Sequence, residues 1–164
     1  MLHYLEFGLS YVEVPGETAL CIYISGCMNR CANCHYPEMQ QADLGELLSE
    51  YFEQILDLYH ETYTTCVCFM GEGDGSKESR EELLQYVQRS NDKGYKCCLY
   101  SGRDTTMEEW MQVFHYVKLG SYREEYGPLT NAATNQKLFM RKAEGKFENI
   151  TDRFWSKEGG GGHE

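Results

Sequence analysis

Apolar residues along the first part of the chain follow two different spacings. Residues 11–25 predict an extended segment, a turn and then a continuous apolar strand that ends at Ser25 and Gly26. Behind a capping-box pattern at Asp43, apolar residues then recur at the spacing of a helix. This stripe consists of Leu44, Leu47, Leu48, Tyr51, Phe52, Ile55, Leu56 and Tyr59. The pattern therefore predicts a strand and, after a polar stretch, an amphipathic helix.

The rest of the chain repeats this order of strand and helix. Residues 64–70 are a β-rich apolar run that ends in the turn GEGDG, and a capping-box pattern at Ser79 predicts a second helix. Residues 95–100 are a similar run that ends in SGRD, and the pattern at Thr106 predicts a third, shorter helix. The runs VFHYVKL and QKLFMR predict two further strands.

This alternation defines the expected fold class, which is α/β. Strands that alternate with helices form βα units, and these build a mostly parallel sheet that binds ligands at the carboxyl ends of its strands. A closed barrel of eight such units takes about 250 residues. A chain of 164 residues therefore predicts a partial, open (βα) barrel. We expect residues 1–155 to form this single domain and the glycine-rich segment 156–164 to be a flexible tail.

Charge and composition exclude several classes of protein. The formal net charge of -11 argues against a nucleic-acid partner, because phosphate binding depends on clustered lysine and arginine. A membrane span needs roughly 18 to 20 consecutive apolar residues, and the sequence has no such run. The first residues, MLHYLEFGLSYVEV, lack the features of a secretory signal. We therefore expect a cytoplasmic protein whose thiols stay reduced.

Three cysteines, Cys27, Cys31 and Cys34, lie close together in SGCMNRCANCHYPEM, directly after the first apolar strand. In a reducing compartment such a cluster indicates a metal or redox site rather than a disulfide framework. The spacing lets a short loop bind three irons of one inorganic cluster, each through one thiolate. A cubane cluster has four irons, so the fourth would stay open to a non-protein ligand, as one position does in catalytic zinc sites.

The alternative for these three cysteines is a structural zinc site, because a Cys-x2-Cys pair is also a zinc signature. Such a site needs a fourth ligand. His35 adjoins Cys34 and would be strained in sharing its metal, and the sequence has no second Cys-x2-Cys pair. The spacing therefore favours an iron–sulfur cluster.

The other five cysteines lie in apolar strand runs, where free cysteine is commonly buried, and we expect them in the core. Cys66 and Cys68 share a strand face and could hold a second cluster or metal. Cys97 and Cys98 point to opposite faces, so at most one of them could join that pair. The fifth is Cys21.

The cysteine motif, together with the Gly-Glu turn after the second strand, resembles the radical S-adenosylmethionine (SAM) superfamily. Within it, the small size, SGCMNRCANCHYPEM and the late YGPLTNAATNQKL resemble the activating enzymes of anaerobic ribonucleoside-triphosphate reductases. The similarity extends from about residue 11 to about residue 140. The resemblance implies that the open barrel is of the radical SAM type.

The same resemblance implies an oxidoreductase activity. A 4Fe-4S cluster on Cys27, Cys31 and Cys34 would bind the amino and carboxylate groups of SAM through its open iron. An electron from the reduced cluster would break the S–C5′ bond, giving methionine and a 5′-deoxyadenosyl radical. That radical would remove a hydrogen from a glycine Cα and leave a glycyl radical. The implied partners are a glycyl-radical reductase, as protein substrate, and a reduced flavodoxin or ferredoxin-type electron donor.

The resemblance also implies contacts with the cofactor at particular positions. Gly71 and Glu72 occupy the family's turn after the second strand, whose backbone and carboxylate meet the methionyl ammonium. Asn33 and His35 flank the third cysteine, where the backbone approaches the adenine, and Ser101 would reach the ribose. The cofactors carry the chemistry, so no side chain is expected to act as a general acid or base.

Three other functions compete with this interpretation. Activases of other glycyl-radical enzymes, such as pyruvate formate-lyase, are similar but usually longer. A small-molecule radical SAM enzyme, such as a compact deazapurine-forming synthase, would need an enclosed pocket, and a zinc-binding interaction module would need no cofactor. An open barrel favours a protein substrate, because a protein segment needs an entrance. By resemblance, the docking edge comprises Tyr126, Gly127, Pro128, Asn135 and Gln136.

Overall fold

The structure is a computed structural model that describes residues 1–26, 45–59 and 62–155. The strands are β1 (His3–Ser10), β2 (Ala19–Ile24), β3 (Glu46–Leu47), β4 (Cys66–Met70), β5 (Lys96–Tyr100), β6 (Tyr116–Leu119), β7 (Lys137–Arg141) and β8 (Phe147–Asn149). The helices are α1 (Leu48–Leu58) and α2 (Lys77–Asp92), and the short 3-10 helices are Glu109–Val113 and Thr151–Phe154. The strands form one sheet in the order β3-β1-β2-β4-β5-β6-β7-β8.

The sheet is mixed, with parallel pairing among the four central strands and antiparallel pairing on both sides. The parallel strands are β2, β4, β5 and β6, and α2 connects β4 to β5 as a crossover of the kind that parallel neighbours need. β1 and β3 pair antiparallel on one side, and β7 and β8 do so on the other. Tyr23, Met70, Tyr100 and Lys118 are register partners across the parallel strands, so their carboxyl ends meet at one edge.

Successive side chains of the parallel strands alternate between two packed faces of the sheet. On the first face, apolar side chains such as Ile22 and Phe69 pack with Phe52 of α1 and Leu83 of α2. The second face has its own cluster, in which Tyr100 and the buried thiols are prominent. We call this second face the thiol face, and its cysteines are Cys21, Cys66, Cys68 and Cys98.

The predicted burial of the five strand cysteines is confirmed, since all of them are buried and free. Cys98 lies on the thiol face with Cys66 and Cys68, while Cys97 lies on the helix side, so only one of the neighbouring pair joins the others. Within the described residues, no group of three or more His, Cys, Asp or Glu side chains could hold a metal ion. The thiol face is therefore packed core rather than a second metal site.

The structure places the helix starts differently from the capping patterns. α1 begins at Leu48, because Glu46–Leu47 pairs with β1 as strand β3, and Asp43 lies outside the described residues. Gly45 enables this entry: its φ is +95°, and a Cβ there would lie 2.1 Å from the carbonyl oxygen of Tyr4. α2 begins at Lys77 behind Ser76.

Two further predictions differ from the structure at the level of elements. The third helix, predicted from Thr106, is the 3-10 helix Glu109–Val113 with Glu108 at its N-cap. Strand β1 lies before the extended segment predicted at the start of residues 11–25. The predicted tail, residues 156–164, lies outside the described residues. No helix in the described ranges is both long and apolar enough to cross a membrane.

A buried carboxylate fixes the amino ends of the parallel strands. Glu17 accepts hydrogen bonds from the hydroxyls of Thr65, at 2.6 Å, and Tyr116, at 2.5 Å, and its other contact is Lys96 Nζ at 3.0 Å. These groups precede or begin β4, β5 and β6. Burial alone would raise the pKa of Glu17, but the three hydrogen bonds outweigh it and the pKa is lowered.

Candidate functional site

The candidate site lies at the carboxyl edge of the parallel strands. After β2, the amide of Ser25 donates to the carbonyl oxygen of His3 at 3.0 Å, and Gly26 follows with φ +92°. The cysteine segment starts at the next residue. The predicted cluster ligands Cys27, Cys31 and Cys34 and the predicted adenine contacts lie outside the described residues, and these contacts are Asn33 and His35.

The predicted turn after β4 is present, and Gly71 is its first residue. Its φ of +122° lies in the region that favours glycine, and its amide donates to the carbonyl oxygen of Tyr100 at 3.0 Å. Two residues later, Gly73 has φ +78°, and a Cβ there would lie 2.5 Å from Leu2 Cδ2. The turn therefore approaches its neighbours closely and is joined by a backbone hydrogen bond to β5.

The carboxylate of Glu72 is 6% exposed and is already bound by cationic and hydroxyl groups of this chain. Arg103 Nε donates to Oε2 at 2.9 Å, and Arg103 Nη2 donates to Oε1 at 3.1 Å. Ser101 donates its hydroxyl to Oε2, and Arg80 Nη2 lies 3.6 Å from Oε1. The Glu72 carboxylate, which is expected to meet the methionyl ammonium, thus forms a bidentate ion pair with the guanidinium of Arg103.

Arg103 is held by a second carboxylate on its other side. Its Nη1 and Nη2 donate to Glu108 at 2.9 and 2.8 Å, and Trp110 Nε1 donates to the same carboxylate at 2.7 Å. Hydrogen bonds from Arg103, opposed by burial, lower the pKa of Glu108 to about 2. We call Glu72, Ser101, Arg103 and Glu108 the Arg103 network.

Ser101 lies at the end of β5 as predicted, and its hydroxyl belongs to this network. The side chain is fully buried, donates to Glu72 and accepts from the amide of Arg103 at 3.2 Å. Its own amide donates to the carbonyl oxygen of Lys118 at 2.8 Å. The structure therefore brings Gly71, Glu72 and Ser101 together at one edge, where Ser101 joins the turn to the next two strands.

A buried lysine adds positive charge on the thiol face at this same edge. Lys118 is 7% exposed, and its Nζ donates to the carbonyl oxygen of Gly120 and to Gln136 Oε1, each at 3.0 Å. The ammonium also lies 5.4 Å from the centroid of the Tyr100 ring. Sequence reasoning treated VFHYVKL only as a strand, although a lysine inside an apolar run was a visible signal.

Beyond β6, an open cavity of about 590 Å³ lies beside the predicted docking edge. The residues that line it include the apolar Leu119, Phe139 and Phe147 and the polar Thr105 and Asn135. Of the residues expected in the docking edge, Asn135 lines this cavity, while Gln136 binds Lys118 instead. The cavity has the size of a ligand pocket and is open to solvent.

Comparison with known protein families gives a match over more than half of the chain. The sequence model of a protein family described as the 4Fe-4S single cluster domain matches residues 13–122. The matched region runs from the turn before β2 to just beyond β6, and it includes all three cysteines of the motif. No curated protein and no solved structure matches the chain.

Proposed function

The chain belongs to the 4Fe-4S single cluster domain family, and we propose that it is a radical SAM activase of a glycyl-radical enzyme. Its proposed partner is an anaerobic ribonucleoside-triphosphate reductase. The observation that carries the proposal is the position of the three-cysteine motif, within the matched region and directly after β2. The strand that precedes the motif ends at the edge where Gly71, Glu72 and Ser101 converge, which supports a cluster there.

The cysteines of the chain divide into two groups, and only one suits the cluster. Iron–sulfur clusters are ligated by thiolates. Burial raises the pKa of Cys97 to about 12 and that of Cys98 to about 11, and no described group could hold a metal. The thiols that remain are those of Cys27, Cys31 and Cys34. The donor set therefore fits a cluster with three protein ligands and one open iron.

When bound, the cluster and SAM would supply the reductive cleavage that yields methionine and a 5′-deoxyadenosyl radical. The residues of this chain bind and orient. Gly71 allows the turn after β4 to approach the cofactor without a side chain, and Lys118 provides positive charge that favours an anionic group such as a carboxylate. We interpret the sheet as the partial, open barrel of the radical SAM type, because four parallel strands have their carboxyl ends at one edge.

The proposed substrate is the backbone of a glycine in the partner. A hydrogen atom would move from the glycine Cα to the 5′ carbon, leaving 5′-deoxyadenosine and a glycyl radical. The transfer is downhill, because the glycyl radical is delocalised over two amides whereas the primary alkyl radical is not. Reacting atoms must lie roughly 3 to 3.5 Å apart, which a residue without a Cβ makes easier. The open cavity beside Asn135 supports a protein substrate.

The experiment is anaerobic incubation of the reconstituted, reduced protein with SAM and the reductase, followed by electron paramagnetic resonance (EPR). We expect 5′-deoxyadenosine together with a glycine-centred doublet signal. Deuterating the glycines of the partner should collapse the doublet and move deuterium into the deoxyadenosine. The control is the triple variant Cys27→Ala, Cys31→Ala and Cys34→Ala, which should give neither product.

Other outcomes identify the competing functions. A doublet with pyruvate formate-lyase and none with the reductase would show that the chain activates a different glycyl-radical enzyme. Deoxyadenosine formed with a small metabolite, without a glycyl signal from any partner, would overturn the activase function. A colourless protein that holds zinc after anaerobic purification would overturn the iron–sulfur assignment on Cys27, Cys31 and Cys34.

A further inference from the structure

The carboxylate of Glu72 already has hydrogen-bond partners within the chain. Both carboxylate oxygens accept hydrogen bonds, from Arg103 at 2.9 and 3.1 Å and from the hydroxyl of Ser101. Arg80 lies 3.6 Å away as a second positive charge. A ligand ammonium that bound this carboxylate would have to displace part of its bidentate ion pair with Arg103.

With Arg80 beside it, the Arg103 network is balanced in charge and costly to break. Two carboxylates, Glu72 and Glu108, surround Arg103, while Arg80 lies near Glu72 and stacks on Trp110 at 4.3 Å from the ring centroid. Removing one partner of a buried ion pair leaves the other charge uncompensated, which is strongly destabilising. Arg103 and Arg80 both compensate the buried charge of Glu72, and Arg103 makes the closer contact.

The network also joins two segments of the chain, the turn after β4 and the segment between β5 and the 3-10 helix. Glu72 belongs to the turn after β4, Arg103 to the segment after β5, and Glu108 is the N-cap of the 3-10 helix Glu109–Val113. Glu72 is followed by Gly73, whose φ is +78° and where a Cβ would lie 2.5 Å from Leu2 Cδ2. The bond between Glu72 and Arg103 therefore ties the turn after β4 to the segment after β5, in addition to the hydrogen bond from the Gly71 amide to the carbonyl oxygen of Tyr100.

We propose that Arg103 is a positioning residue of the cofactor site. It holds Glu72 so that the backbone of the turn at Gly71, and not the carboxylate of Glu72, meets the ammonium of SAM. This inference rests on the proposed function, since it assumes that SAM binds at this edge. It differs from the role that the resemblance implies for the carboxylate of Glu72.

The test compares SAM affinity in the reconstituted, reduced protein and in variants of the network, by calorimetry. Arg103→Ala and Glu72→Gln should each weaken binding by about tenfold, a loss of about 1.4 kcal/mol. The double variant should bind no more weakly than either single variant, because both changes remove the same contact. Arg103→Lys keeps the charge and should recover part of the affinity.

Two further variants separate positioning from general damage. Glu108 contacts Arg103 and not Glu72, so Glu108→Gln should weaken SAM binding only through Arg103, by less than Arg103→Ala. The matched control is Arg89→Ala, because Arg89 is 46% exposed on α2 and pairs with Glu53. Its SAM affinity should equal that of the unchanged protein. In the affected variants, saturating SAM should still alter the EPR spectrum of the reduced cluster.

The outcomes distinguish this inference from the proposed function. If Glu72→Gln abolishes binding while Arg103→Ala preserves or strengthens it, the carboxylate itself binds the ammonium and the inference is wrong. If the unchanged protein, with a full cluster, binds no SAM, the proposed function fails and the cofactor role of Arg103 fails with it. If Arg103→Ala does not fold, Arg103→Lys and Glu108→Gln decide: unchanged affinity in both would overturn the inference.

Discussion

Single residues at the two ends of the parallel strands have different tasks. At the amino ends, Glu17 binds groups that begin three neighbouring strands. At the carboxyl ends, Glu72 binds Arg103 and thereby fixes the turn beside the candidate site. Both carboxylates are buried and both are bonded, as buried charges in proteins must be. Their contributions can be measured separately, because the two carboxylates lie at opposite ends of the parallel strands.

Glu17→Gln should destabilise the fold by about 1 to 3 kcal/mol, because buried groups lose a charged hydrogen-bond partner. The pKa of Glu17 is lowered from its ordinary 4.5. Because the pKa of Glu17 is lower in the folded protein, its ionised carboxylate stabilises the fold fully at pH values above its ordinary pKa. This stabilisation is lost as the pH falls through the lowered pKa. Urea unfolding should therefore show that acidification below about pH 4.5 destabilises the unchanged protein more than Glu17→Gln.

The control for this measurement is Glu148→Gln. Glu148 is an exposed residue whose partner Lys142 is exposed as well. Surface pairs of this kind contribute little to stability, so the unfolding free energy should stay at the value of the unchanged protein. Equal acid sensitivity of Glu17→Gln and the unchanged protein would show that Glu17 does not supply the expected pH dependence.

Gly71→Val should weaken SAM binding while the reduced cluster still forms. The side chain would occupy the position where the backbone approaches the cofactor, and the φ of +122° strains any residue other than glycine. Gly145→Val is the matched control, since Gly145 has φ +81° and a Cβ there would meet nothing within 4 Å. Gly145→Val strains the backbone but places no side chain at the cofactor site. Calorimetry that gives both variants equal SAM affinity would remove Gly71 from the site.

At the residue scale, the sequence predicted the site residues that lie in short local motifs, but not the side chains that bind them. GEGDG and SGRD were placed at strand ends, and Gly71, Glu72 and Ser101 do lie together. The sequence did not predict the partners Arg103 and Glu108: Arg103 binds Glu72 across 31 residues of the chain, and Glu108 belongs to the network through Arg103. Their residue types and spacing carry no motif, so only the packed structure could reveal them.

At the scale of elements, the capping patterns identified helices better than helix starts. α2 was predicted from Ser79, but the hydroxyl of Ser76 accepts the amide of Ser79 at 3.1 Å and defines the N-cap. α1 was predicted to start at Asp43, but Glu46–Leu47 pairs with β1. At α1, tertiary pairing overrides local propensity, and sequence periodicity alone does not contain that pairing. At α2 the cap is a local contact, three residues before the predicted one.

Ser76→Ala should lower the free energy of unfolding by about 1 kcal/mol, the usual loss for an N-cap. Ser49→Ala is the matched control, because Ser49 is an exposed serine in the first turn of α1 and that helix has no side-chain cap. Its stability should stay within about 0.5 kcal/mol of the unchanged protein. The measurement is urea unfolding followed by circular dichroism. An equal effect of both changes would contradict the N-cap assignment of Ser76.

At the scale of the whole molecule, the sequence predicted the four central strands and β7, but not β1, β3 and β8. β2, β4, β5 and β6 are apolar runs that are buried on both sides, which is a strong local signal. β1 contains Glu6 and Gly8, and β3 and β8 have two and three residues, so their patterns are weak. These flanking strands are specified by their antiparallel partners, which lie elsewhere in the chain.

The division of the eight cysteines into two groups should be visible in the native protein by alkylation and mass spectrometry. After anaerobic removal of iron, iodoacetamide should modify Cys27, Cys31 and Cys34 and leave the five buried thiols intact, because burial holds their pKa values high and excludes the reagent. With the cluster in place, the three should be protected as well, whereas urea should expose all eight. Modification of Cys98 in the native protein would contradict the packed thiol face. Reaction of the first three regardless of iron content would remove them as cluster ligands and leave the family's iron–sulfur cluster without ligands in this chain.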